Sequence, residues 1–233
     1  MILKGKRALV TGGALRIGKA IVQALQAEGV EVVVQYRDSE CAARELSDFI
    51  IQADFQCLDE LDGFFERTGP IDVLVNNAAV FTKDSLLQAT PKRVAQEFGV
   101  NLFAPMELMR QFALQERSEG AIVNLLDQRV RSNDVSCVPY LLAKKALENL
   151  TQLAALEYAP HIRVNAVAPG AILPPVVGNK VVAREPAGKI PLEKVPTLGN
   201  VAEAVLYLIR AEAVTGQTLF VDGGQNLLGR MNG

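Results

Sequence analysis

Arg7-Ala8-Leu9-Val10-Thr11-Gly12-Gly13-Ala14-Leu15-Arg16-Ile17-Gly18 is the stretch that decides the fold. A short strand-like run comes first, the glycines form a sharp turn, and a helical pattern over 16–28 follows at once. Glycines in that place let the backbone turn tightly and approach a pyrophosphate, while the helix N-terminus offers free N–H groups and a favourable dipole. Strand, glycine turn and helix in this order point to nucleotide binding, with Gly12, Ile17 and Gly18 against the phosphates. Arg16 stands where a third glycine is more usual. It reads either as an exposed cation at a helix start or as one that reaches cofactor phosphates or an anionic edge of a substrate.

The same alternation continues along the chain. Strand-like runs lie at Arg7–Thr11, Val30–Tyr36, Ile50–Asp54, Ile71–Asn76, Ala121–Leu126, Ile162–Val167 and Thr218–Val221. Helical segments fall near 16–28, 40–48, 58–67, 91–117, 138–158 and 200–211. Val32-Val33-Val34 and Val73-Leu74-Val75 are apolar without alternation, as in strands covered on both faces. The pattern predicts an α/β fold: one Rossmann-type domain over 1–233, a doubly wound parallel sheet of about seven strands with helices on both faces. The segment 169–196 holds Pro169, Pro174, Pro175, Pro186, Pro191 and Pro196 out of 11 prolines, and predicts a mobile or loop-rich substrate loop around 171–196.

Composition narrows the function classes. Lys and Arg number 24 against 26 Asp and Glu, so no basic surplus is available for nucleic acid. The apolar runs are far shorter than the ~20 residues of a membrane span, and no signal-like stretch precedes the first strand. Cys41, Cys57 and Cys137 lack paired spacing and the chain has 1 His, which argues against a metal site. A cytoplasmic protein with reduced thiols and a small-molecule substrate is expected.

Cofactor choice is set at the end of the second strand, Gln35-Tyr36-Arg37-Asp38-Ser39. No acid ends the strand itself, and Arg37 with Ser39 is suited to a 2′-phosphate, so NADPH is expected over NADH; Asp38 is discordant. Asp54 ends the third strand and reads either as a contact to the adenine edge or as a loop cap.

Tyr140 and Lys144 are spaced i, i+4 at the start of a long helix, which places phenol and ammonium on one face. An adjacent ammonium lowers a phenol's pKa, so the expectation is a tyrosine able to pass a proton near neutral pH. Asn76-Asn77-Ala78-Ala79 ends the fourth strand and Asn101 sits in the fourth helical segment. Val164-Asn165-Ala166-Val167-Ala168-Pro169-Gly170 and Val221-Asp222-Gly223-Gly224 follow the last two strands.

Taken together, these motifs resemble the short-chain dehydrogenase/reductase family over essentially the whole chain. The resemblance implies Tyr140 as the acid that protonates substrate as hydride arrives, and Lys144 as the residue that holds the nicotinamide ribose. It implies Asn101 as the holder of a water in the proton relay. Asn77 and Ala78 would line the cofactor channel and Pro169 and Gly170 would border the nicotinamide. Asn77 and Asn101 read equally as buried amides that satisfy backbone groups. The family habit implies a homotetramer, or a homodimer, through the 138–158 helix and the C-terminal segment.

Two departures narrow the substrate. Position 127, thirteen residues before Tyr140, is Asp127 rather than the family's serine, and Arg16 replaces a glycine. Both are similar to the pteridine reductases and dihydromonapterin reductases, as is Phe81, an aromatic placed to stack a flat ring. Tyr36-Arg37-Asp38-Ser39 also looks like their NADPH-binding turn. Ala79 departs from that subgroup, where a serine is usual. The reading is an NADPH-dependent reductase that takes a dihydropterin or dihydrofolate to the tetrahydro form, with Phe81, Arg16, Asp127 and Tyr140 around the substrate. Its rivals are a general carbonyl or 3-oxoacyl-thioester reductase and a non-catalytic NADP-binding sensor. His161 and Cys137 read as structural.

Overall fold

A computed structural model of the chain describes residues 1–115, 119–172, 176–177, 180–181 and 189–230. Its strands are β1 (Arg7–Val10), β2 (Glu31–Tyr36), β3 (Ile50–Gln52), β4 (Val73–Asn76), β5 (Gly120–Leu125), β6 (Ile162–Pro169), β7 (Val176–Val177), β8 (Lys180–Val181) and β9 (Thr218–Val221). Seven of them form one sheet in the order β3-β2-β1-β4-β5-β6-β9, with every neighbouring pair parallel. The order reverses between β1 and β4, and the crevice beyond the carboxyl ends of these two strands is where doubly wound sheets bind ligands.

Alternate side chains of each strand enter different cores. Ala8, Val10, Val32, Val34, Val73 and Val75 face one way, against α1 (Arg16–Ala27) and α7 (Leu198–Arg210), which pack on each other. Leu9, Val33, Leu74 and Ile122 face the other way, against α3 (Phe64–Thr68), α5 (Ala104–Leu114) and α6 (Val138–Glu157). Burial on both sides explains the unbroken apolar runs of β2 and β4. Outward-facing Leu142, Leu153 and Leu156 leave an apolar stripe on α6, with Met106 of α5 also exposed.

Three expected helices come out shorter or divided. The segment 40–48 is helical only as α2 (Glu40–Arg44). The 58–67 segment is a 3-10 turn at Leu58–Leu61 and then α3, parted at Gly63, whose φ of 60° is left-handed. The 91–117 segment is α4 (Pro91–Phe98), a π-helical turn at Gly99–Phe103 and α5. Thr90 caps α4 by accepting from Arg93 N, and Pro91 supplies the preset first residue. Such a π-turn inserts one residue into the helical register and is frequent at functional sites.

Within the expected substrate loop, β7 and β8 pair antiparallel. The remainder at 173–175, 178–179 and 182–188 lies outside the described residues. Its far limb is anchored, since Leu192 N donates to Gly223 O at 3.1 Å just after β9. Among the described residues no helix is long and apolar enough to cross a membrane, and no group of three or more His, Cys, Asp or Glu is placed to hold a metal ion.

Candidate active site

The floor of the crevice is the glycine turn between β1 and α1. Thr11 Oγ1 accepts from the backbone N–H groups of Asn77 and Ala78, both at 2.9 Å, and Asn77 Nδ2 donates back to Thr11 O at 2.8 Å and Gly12 O at 3.0 Å. From the other side, buried Gln35 accepts from Gly12 N at 2.7 Å and donates to Ala53 O at 2.8 Å. Gly12 has φ 58°, and a Cβ there would lie 3.0 Å from Ala78 Cα. A Cβ on Gly18 would overlap Gly12 O and stand 2.7 Å from Asn77 Nδ2. Both positions exclude a side chain because the turn is packed against Asn77, Ala78 and itself, and such a tight turn at a helix N-terminus fits a dinucleotide.

Arg16 opens α1 with φ 54°, left-handed for a residue that carries a Cβ, and it is exposed beside half-buried Ile17. Such backbone costs roughly 1–2 kcal/mol relative to the right-handed region.

At the expected adenosine end, Tyr36 is buried and Arg37 Nε donates to Asp38 Oδ2 at 2.6 Å on the surface. Asp38 is therefore turned onto Arg37, and a 2′-phosphate would share that guanidinium with it. Ser39 precedes α2 without a side-chain cap bond. Asp54 Oδ1 accepts from Gln56 N at 3.0 Å, a loop-cap bond.

Asp127 follows β5 and begins a 3-10 turn, accepting from Arg129 N at 2.8 Å. The opening turn of α6 delivers Tyr140, whose Oη donates to Asp127 Oδ2 at 3.1 Å. One turn further on, Lys144 is only 2% exposed; its Nζ donates to Leu125 O at 2.8 Å and lies 6.0 Å from the Tyr140 ring centre. Phe81 stands edge-to-face on Tyr140, with ring centres 4.8 Å apart, and stays 38% exposed.

The electrostatics correct one expectation. Tyr140 is pushed well above the ordinary tyrosine range, first by burial and then by the Asp127 carboxylate. Lys144 is lowered to about 8, again by burial, with Asp127 and Glu97 opposing. Burial and the facing carboxylate both favour the neutral phenol, and Tyr140 is the donor in its hydrogen bond to Asp127. Burial also raises Cys137 to about 11, which leaves it an unreactive thiol.

Asn101 lies in the π-helical turn, fully buried. Its Nδ2 donates to Val80 O at 2.9 Å and Glu97 Oε2 at 2.7 Å, and its Oδ1 accepts from Val80 N at 3.3 Å. Both amide hydrogens are engaged within the protein, which leaves Oδ1 and the backbone to hold a water. Pro169 ends β6, and Gly170 N donates to Val221 O at 2.9 Å; a Cβ on Gly170 would meet Asp222 at 3.0 Å.

Two neighbours were not read from the sequence. Arg129 lies over the Phe81 ring at 5.4 Å and within 3.4 Å of Asp134. Glu97 is buried one turn before Asn101. The i, i+4 spacing of Glu97 and Asn101 was visible; that this face turns inward was not.

Residues 13–226 match the family model described as Enoyl-(Acyl carrier protein) reductase. L-xylulose reductase of Mus musculus is 35% identical over 240 residues, covering 95% of this chain and 97% of that protein. The solved structure of FolM alternative dihydrofolate reductase 1 from Brucella canis, complexed with NADP, superposes with a TM-score of 0.87 at 34% identity, covering 97% of this chain and 96% of that one. A short chain dehydrogenase/reductase family protein superposes with a TM-score of 0.88 at 32% identity, covering 97% and 100%.

Two stability measurements test the geometry. Arg16→Gly and Arg16→Ala both remove the side chain and differ in tolerance of φ 54°. The glycine variant is expected to be more stable by about 1 kcal/mol, a rise in Tm of roughly 2–4 °C; equal melting temperatures would mean the turn carries no strain. Lys144 has a folded pKa of about 8 against the ordinary lysine value of 10.5. Between these values the unfolded chain binds the proton that the folded chain has released, so this group makes stability rise with pH. Urea titrations at pH 8 and 9.5 should show wild type gaining on Lys144→Met, and a constant difference would contradict the burial of that charge.

Proposed function

The chain is an oxidoreductase of the short-chain dehydrogenase/reductase family, and on that premise we propose that it is an NADPH-dependent reductase of a pterin, taking a dihydropterin or dihydrofolate to the tetrahydro form. The observation that carries this reading is the Tyr140–Asp127 hydrogen bond beneath the exposed Phe81 ring. A neutral hydroxyl at position 127 would hold a carbonyl oxygen. A carboxylate would instead repel the negative charge that develops there, but it accepts from the N–H groups of a flat nitrogen heterocycle. Phe81 offers such a ring a stacking surface, and Arg16 a cation for its polar edge.

The glycine turn with Asn77 and Ala78 would hold NADPH, Arg37 and Ser39 its 2′-phosphate, Lys144 its ribose, and Pro169 with Gly170 would border the nicotinamide. When bound, NADPH supplies the hydride for the ring carbon. Tyr140 Oη gives its proton to the adjacent ring nitrogen, so that C=N becomes CH–NH. Burial holds that proton on Tyr140 until the substrate nitrogen takes it. Lys144, with its pKa near 8, exchanges protons readily at cellular pH. Support for the cofactor comes from the NADP in the Brucella canis structure.

A second reading, reduction of a sugar or other carbonyl, is favoured by the 35% identity to L-xylulose reductase; Asp127 counts against it. A non-catalytic NADP sensor would have no need of Tyr140 and Lys144 together. Loss of NADPH absorbance with dihydrobiopterin, a panel of ketones and ketoses, and a 3-oxoacyl thioester separates these readings. Turnover of the pterin is expected, with Asp127→Ala lowering kcat/KM by about 10²-fold and Phe81→Ala raising KM by roughly tenfold. Turnover of carbonyls alone, or pterin turnover indifferent to both variants, would overturn the proposal.

The apolar stripe of Leu142, Leu153 and Leu156 on α6 supports assembly into a homotetramer or homodimer. Light scattering should return a multiple of 25.2 kDa that falls on Leu153→Lys with Leu156→Lys; a wild-type monomer would count against it.

A further inference from the structure

Glu97 is a carboxylate buried to 1% exposure in a helix whose other outward positions are solvated. One oxygen accepts from Thr82 N at 2.7 Å and Thr82 Oγ1 at 2.5 Å, and the other accepts from Asn101 Nδ2 at 2.7 Å. Asn101 in turn clasps both backbone groups of Val80. Val80 and Thr82 are the two chain neighbours of Phe81. The Glu97–Asn101 pair therefore grips the backbone on either side of Phe81, whose ring stands on Tyr140.

A cap for α4 or a core filler would not need a charge here. Thr90 already caps the helix, and an apolar side chain would bury at less cost. Three donors converge on the carboxyl group, and they oppose the burial that pushes it above the ordinary glutamate range.

We propose that Glu97 is a positioning residue of the substrate site: through Thr82 and Asn101 it clamps segment 80–82 and so fixes the Phe81 ring against Tyr140. The inference rests on Phe81 touching the substrate, as the proposed function has it. Removing the clamp lets the segment move, and substrate binding weakens more than cofactor binding, since Asn77 and Ala78 before it stay tied to Thr11 and the glycine turn by their own bonds.

The test uses the full chain with Glu97→Gln and Glu97→Ala. In the protein without substrate or cofactor, hydrogen exchange at the Val80 and Thr82 amides should quicken at least tenfold in the alanine variant and less in the glutamine variant, which keeps an acceptor for Thr82. In turnover of whichever substrate the wild type reduces, KM should rise several-fold with the NADPH Kd within twofold. Combining Glu97→Gln with Phe81→Ala should raise KM no further than Phe81→Ala alone. Unchanged amide exchange in both variants overturns the clamp. Additive KM effects in the double variant, or an equal loss in NADPH affinity, overturn its action through Phe81. The exchange measurement needs no substrate, so a failure of the pterin reading leaves the clamp tested in its own right.

Discussion

The hydroxyl of Thr11 ties the chain after β4 to the end of β1 where the strand order reverses, just beyond their backbone pairing. It accepts from two consecutive N–H groups after β4, and Asn77 returns two bonds to the glycine turn after β1. Strands on either side of a reversal diverge into their own crossovers, so the crevice between them stays open only while something fixes its width. Gln35 fixes the far lip by the same means, reaching from Gly12 N to Ala53 O. Every other site residue stands at the carboxyl edge that this stitching defines.

Within that frame the site is dry at one end and wet at the other. Tyr140 and Lys144 are shielded by the sheet and by Phe81, and burial dominates both their protonation states. Arg16 and Arg37 are solvated, and Asp38 is exposed against Arg37. In the proposed reaction, proton transfer would lie where charge interactions are strong and phosphate recognition where they are cheap to rearrange.

Much of this was legible in the sequence because it depends on short-range pattern. The glycine turn, the strand runs of β2 and β4, and the Tyr140–Lys144 spacing each follow from local period and backbone sterics. The convergence of Asp127 and Tyr140 was legible through the family resemblance, and the structure brings them to 3.1 Å. What stayed hidden depended on tertiary surroundings. The direction of the Tyr140 shift turns on desolvation, which no spacing encodes. Asp54 turned onto its own loop, and Asp38 onto Arg37, by choices between equally available partners. The breaks in the 58–67 and 91–117 segments needed the backbone itself, a left-handed Gly63 and a π-helical turn.

That π-helical turn has a consequence for how this chain tolerates change in length. An α-helix advances about 100° per residue, so one residue gained at Gly99–Phe103 rotates everything downstream by more than a quarter turn relative to α4. Glu97 and Asn101 face the site on one side of the rotation, while Leu108, Met109 and Phe112 face the core on the other. A deletion there would swing Phe112 out of the core while α4 stayed seated. Between Phe98 and Ala104 the number of residues is therefore constrained as well as their identity at buried Gly99, Val100 and Asn101, and the segment acts as a fixed-length joint between crevice and core.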